Sequence, residues 1–244
     1  MTADTPDYLG HRKRLKERFL SDMGRSMPDY ELLELLLMGY IPRKDVKPLA
    51  KKLLKSFGDL GEVLHAPVSK LINIEGIGEN TAINIAVMQA CWHRGNLQKL
   101  QNEKGLILST VDAITDYLRS TMGYLAVEEF HVLYFDVHQT LLKDEVLQRG
   151  TIDNVVPYMR ELVQSVLENK AKRVIIAHNH PSGNTTPSEA DIKMTKTIQN
   201  VLSAIEVEML DHIIVGKNLC YTALPVIKRY LATSTVSLPC TKYH

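Results

Sequence analysis

The chain has 244 residues, of which 45% are hydrophobic and 23% charged, and its net charge is +1. That balance suits one or two globular domains with a full core to bury, and the overall charge selects no partner. No uninterrupted apolar run approaches bilayer length, which excludes a membrane-spanning helix and leaves no membrane partner to expect. Cys91, Cys220 and Cys240 are scattered and odd in number, so a disulfide framework is not expected. With an N-terminus that lacks a secretory layout, they point to the reducing cytoplasm.

Residues 8 to 39 read as two helices, the first with Leu9, Leu15, Phe19 and Leu20 on one face. The second, from Tyr30 to Met38, is apolar nearly all round and suits the core of a small helical domain. A third helix, Val46 to Phe57, carries lysines outward, and a short helical turn falls within 60 to 70. The basic clusters around His11–Arg18 and Arg43–Lys55 can meet phosphate, or simply form the solvated face of helices. Leu71 to Ala82 then gives the pattern h-x-G-h-G-x-x-x-A, which resembles a helix–hairpin–helix spanning 71 to 87. Its glycines allow a tight turn, and free N–H groups at the second helix suit a phosphate. Glu79 and Asn80 stand where lysine or serine would serve DNA better, so DNA binding and a plain packing turn both stay open.

Polar residues from Arg94 to Gly105 read as a linker between a helical domain, 1–100, and a second domain, 107–244. Ser109 to Asp112 caps a helix running to about Leu118. Glu128 to Asp136 reads as a strand, turning at Val137–Thr140 into a second strand, Leu141 to Leu147. A helix over Val155 to Asn169 is expected to face inward with Leu162, Val163, Val166 and Leu167. Past the central stretch, strands Glu206–Val215 and Leu219–Ala223 flank a turn at Gly216–Asn218, and the tail beyond Val226 looks helical and then frayed.

The central stretch runs from Arg173 to Asp191. Val174 to Ala177 is a short β-branched run suited to a strand buried on both faces. Pro181, Gly183 and Pro187 force an irregular loop, and a helix starts at Ser188 with Ile192, Thr195, Ile198, Leu202 and Ile205 spaced along one side. His178 and His180 are two apart at the strand end, so extended backbone turns both imidazoles to one face. Asp191, in the first turn of the helix, can fold back over them. Two imidazoles, a carboxylate and room for water make an open zinc site. Ser188-x-x-Asp191 also fits a helix capping box.

This H-x-H-P-x6-S-x-x-D wording resembles the JAMM (JAB1/MPN/Mov34) metalloproteases, and His-Asn-His-Pro-Ser-Gly resembles their RadC branch. The resemblance implies an α/β chain: a small all-helical N-terminal domain, then a JAB/MPN (cytidine-deaminase-like) α-β-α domain with a mixed sheet. It implies one zinc ion per chain on His178, His180 and Asp191, with Ser188 steadying an oxyanion. A glutamate that opens an earlier strand serves as proton carrier. Glu128-Glu129-Phe130 matches that element, with Glu128 at the motif position and Glu129 its neighbour on the opposite face. Asp211-His212-Ile-Ile-Val also has RadC wording, which implies that His212 orients a ligand through a hydrogen bond. Val155–Glu161 and the ending from Ala223 depart from the branch, so the substrate groove does not carry over.

The resulting expectation is a zinc-dependent peptidase or isopeptidase acting on an unnamed peptide or protein. The alternative is a DNA-repair-associated DNA-binding protein whose metal site is structural. A zinc nucleobase deaminase is set aside, because it needs H-x-E and P-C-x-x-C and the chain has H-x-H with a lone Pro239-Cys240.

Overall fold

A computed structural model describes residues 7–102, 107–150, 155–217 and 220–222. The chain divides into two compact units, Met1–Trp92 and His93–His244.

In the first unit, α1 (Asp7–Asp22), α2 (Asp29–Tyr40), α3 (Lys47–Phe57), α4 (Leu60–His65) and α5 (Val68–Leu71) precede α6 (Glu79–Asn102). Leu33, Leu37, Leu53, Leu71 and Ile85 are fully buried at its centre. The α2 segment is not uniformly apolar inside. Glu34 is buried there, and its Oε1 meets His11 Nε2 at 2.8 Å. The outward lysines of α3 are in place, and Lys51 Nζ lies 5.0 Å from the centre of the Tyr30 ring. Residues 71 to 87 form the end of the one-turn α5, a turn with Gly76 at φ 99°, and the start of α6.

The linker reading of Arg94–Gly105 needs correction, because α6 continues as helix to Asn102. Glutamine, lysine and leucine are good helix formers, and polarity alone does not break a helix. Leu97 and Leu100, three apart, supply the apolar contacts that hold this end to the core of the second unit. Residues 103–106 lie outside the described residues. The next helix, α7, spans Ile107–Met122 and so begins ahead of the Ser109–Asp112 cap read from the sequence.

The second unit is built on a mixed five-stranded sheet of order β2-β1-β3-β4-β5. Strands β1 (Glu129–Phe135) and β2 (Leu141–Arg149) form the expected antiparallel hairpin. Central β3 (Arg173–Asn179) pairs antiparallel with β1 and parallel with β4 (Glu208–Val215), and β5 (Cys220–Thr222) closes the far edge. Because strand residues alternate faces, Leu133, Phe135, Ile175 and Ala177 pack on Tyr117, Leu118 and Met122 of α7. Val132, Tyr134, Val174 and Ile176 face the other way, against α8 (Val155–Glu168) and α9 (Glu189–Ala204). Helices on both faces explain why β3 is buried along nearly its whole length and apolar from Val174 to Ala177. The molecule is therefore α/β, a helical N-terminal region followed by an α-β-α sandwich.

One inward assignment fails. Leu167 is 59% exposed, while Ser165 takes the inward position between Leu162 and Val166. Ile192 is 47% exposed, because the buried stripe of α9 runs through Asp191, Met194, Thr195, Ile198 and Leu202. Among the described residues no helix is long and apolar enough to cross a membrane. The tail beyond Val226 and part of the Gly216–Asn218 turn lie outside the described residues.

Candidate metal centre

Strand β3 runs two residues further than its apolar core, through His178 and Asn179. His178 is even-numbered like Val174 and Ile176, so it points to the α8–α9 face. Main-chain pairing persists past the strand, with His180 N donating to Val215 O at 2.9 Å, and the chain then turns back through Gly183 N to His180 O. Gly183 has φ 79°, a conformation open to glycine without strain. A Cβ on Gly216 would meet Gly183 O at 2.7 Å, so the loop lies directly on the end of β4 because residue 216 lacks a side chain. Ser188 then caps α9 and Asp191 follows in its first turn.

Sequence spacing brought together His178, His180 and Asp191, and the fold does so too. One ligand atom from each lies within 4.8 Å of the others. His178 Nε2 stands 2.9 Å from His180 Nε2 and 3.1 Å from Asp191 Oδ1, and His180 Nε2 is 3.6 Å from Asp191 Oδ2. Burial raises the proton affinity of the Asp191 carboxyl. The close approach of His178 and the hydrogen bonds from Ser188 outweigh it and hold the group well below the usual carboxylate range. Asp191 is thus an anion facing two imidazoles.

Proton placement decides what this cluster can do. His180 Nδ1 lies 2.5 Å from Asn184 O, a carbonyl that only accepts, so the ring proton is on Nδ1 and Nε2 carries a lone pair. His178 Nδ1 lies 2.8 Å from His212 Nε2. Burial among the neighbouring histidines pushes the His212 pKa down to about 3, so that ring is neutral. With the proton of His178 on Nδ1, the three atoms His178 Nε2, His180 Nε2 and Asp191 Oδ1 are acceptors crowded together. Such a set repels itself unless a cation sits among them, and nitrogen and oxygen donors on three side chains fit a divalent metal ion.

Ser188 forms a complete capping box with Asp191. Its hydroxyl donates to Asp191 Oδ2 at 2.6 Å and accepts from Asp191 N at 3.1 Å, and its own N–H donates to Oδ2 at 2.7 Å. The two sequence readings of this serine, helix cap and site residue, fall on the same atom.

Glu128 and Glu129 separate clearly. Glu129 turns to the α7 face, where its carboxylate meets His131 Nε2 at 3.2 Å and Arg149 Nε at 3.1 Å. Glu128 precedes β1 by one residue and shares the parity of Phe130, which is paired with His178. The β1–β3 ladder ends at that pair, and Glu128 lies beyond it.

Sequence reading missed Asn179 and Thr195. The Asn179 amide, 1% exposed, accepts from Glu129 N at 2.7 Å and donates to Val127 O at 3.2 Å, bracketing Glu128 on both sides. Its position between the two histidines of the motif was the available clue. Thr195 read only as part of the helix stripe, although it stands four residues after Asp191. His212, expected near the site on resemblance, does touch His178.

Comparison with known proteins places these features. The family profile described as a RadC-like JAB domain matches residues 108–226, and that of the UPF0758 N-terminal domain matches residues 8–83. A UPF0758 protein of Ruegeria pomeroyi is 43% identical over 214 residues, covering 87% of this chain and 95% of the relative. The strand–loop–helix that gathers two histidines and an aspartate thus lies inside the matched JAB region, and the chain belongs to the RadC/UPF0758 family.

Proposed function

We propose that the second unit is a zinc-dependent hydrolase of peptide or isopeptide bonds. The observation that carries this reading is the convergence of ligand atoms from His178, His180 and Asp191 at the end of β3. Two imidazoles and one carboxylate suit zinc, leaving a coordination position for water or substrate. The bound ion supplies an acidified water and a positive charge beside the substrate carbonyl.

The protein's own groups supply the rest. Glu128 accepts the proton of the attacking water and returns it to the departing amine as the C–N bond breaks. Its carboxylate is aimed by the Asn179 bracket on the main chain either side of it. Ser188 donates its hydroxyl proton to Asp191 Oδ2 at rest, and that donor turns toward the oxyanion that develops on the carbonyl oxygen. A peptide and isopeptide library screened against zinc-loaded protein tests the reading. Cleavage is expected from the wild type and a loss of at least about a hundredfold from Glu128→Gln, in keeping with general-base catalysis. Equal cleavage by both proteins would remove Glu128 from the mechanism, and no cleavage of any member would remove the hydrolase reading.

A further inference from the structure

A chain of short contacts leads away from His178 on the side opposite the metal cluster. His178 Nδ1 meets His212 Nε2 at 2.8 Å, His212 Nδ1 meets Thr195 Oγ1 at 2.6 Å, and Thr195 Oγ1 meets the main-chain oxygen of Asp191 at 2.6 Å. All of it is buried: His178 is 1% exposed, His212 0% and Thr195 6%. The direction of every hydrogen bond follows from the last link. A carbonyl oxygen only accepts, so the one proton of the Thr195 hydroxyl lies on the Asp191 oxygen. The lone pairs of Thr195 Oγ1 then face His212, whose Nδ1 must donate. His212 is wholly buried and neither ring nitrogen meets a carboxylate, so the ring is neutral; with its proton on Nδ1 it offers a lone pair at Nε2, and His178 donates from Nδ1.

The geometry points to Thr195 and His212 as positioning residues that lock His178 in the tautomer with a bare Nε2. This rests on reading His178, His180 and Asp191 as a metal site. A histidine free in solution favours the proton on Nε2, and in that form it presents a proton where a ligand atom is needed. The relay removes that alternative before any ion arrives. It also closes a ring. Asp191 faces His178 Nε2 with its carboxylate and, through its main-chain oxygen, anchors the relay that orients the other ring nitrogen. One residue of α9 thereby sets both its own donor and the donor of β3, with His212 of β4 between them. Such outer contacts fix ring orientation and tautomer at metal-bound histidines.

The test uses the full-length chain with zinc alone as probe. Nitrogen-15 imidazole spectra of metal-free wild type are expected to show His178 protonated at Nδ1 and bare at Nε2. Thr195→Val keeps the shape and removes the hydroxyl, which frees His212 to invert. It is expected to weaken zinc binding by about 10- to 100-fold in chelator competition and to admit the other His178 tautomer. Thr195→Ser restores the hydroxyl and is expected to restore both readouts, which a purely space-filling role for Thr195 would not require. Wild-type His178 protonated at Nε2 would overturn the relay whatever the variants do. Unchanged affinity and tautomer in Thr195→Val, with wild type binding zinc, would overturn the relay alone. Failure of wild type to bind zinc would overturn the metal reading beneath it.

Discussion

His131 sits on the face of β1 turned away from the candidate metal centre, 3% exposed between two carboxylates. Its Nδ1 lies 3.0 Å from Asp144 Oδ1 and its Nε2 3.2 Å from Glu129 Oε2, while Tyr117 donates its hydroxyl to Asp144 at 2.6 Å. Burial alone lowers the histidine's proton affinity, but the two carboxylates overcome it and raise the pKa above the ordinary 6.5. A group whose folded value is raised contributes stability that is complete below its unfolded value. That stability is lost as the pH climbs through the folded value. Urea midpoints should therefore fall as the pH climbs above the ordinary histidine value in the wild type, and much less in His131→Gln, which below that value should be roughly 3 kcal/mol less stable. Parallel pH curves for the two proteins would remove His131 as the cause. None of this was legible in the sequence, where His131 looks like an ordinary mid-strand residue. Its partner is thirteen positions away across a hairpin, and a register shift between Phe130 and His131 hides which residues meet.

At the scale of elements, α9 was read well because its information is local. The capping serine, the first-turn acid and the buried Thr195, Ile198 and Leu202 all follow from a 3.6-residue period. The exception is its first turn, where Ile192 keeps the apolar spacing yet is 47% exposed. The inward position there belongs to Asp191, which a hydrophobicity pattern cannot nominate even when the chemistry does. Two substitutions check the corrected face. Ile192→Lys should leave stability within about 0.5 kcal/mol, as exposed changes usually do. Met194→Ala, which empties a site packed under Val132 and Tyr134, should lower it by about 2–5 kcal/mol. The reverse order in thermal or urea unfolding would show that the helix is rotated about its axis from the arrangement described. The linker error at Arg94–Asn102 has a related origin. Polar composition marks exposure and does not by itself mark the end of a helix.

For the whole molecule, motif and fold stand in a clear relation. The three candidate metal ligands fall within fourteen consecutive positions, 178 to 191, so strand, loop and helix signals alone were enough to bring them together. Their supports come from elsewhere in the chain. His212 arrives on β4, and Asn179 holds the start of β1 from 50 residues away. Long-range partners of this kind depend on sheet order, and no local periodicity specifies it. The antiparallel β1–β3 and parallel β3–β4 pairings place the supports on either side of one strand end, so the site is a property of the sheet as much as of the motif.

The most direct measurement is a zinc titration of purified metal-free protein, followed by counting bound ions in wild type, His178→Ala and Asp191→Ala. One ion per chain in the wild type and none retained by either variant after exchange into buffer is the expected result. Full occupancy in both variants, or no stoichiometric binding in the wild type, would contradict the assignment of these side chains as the metal ligands.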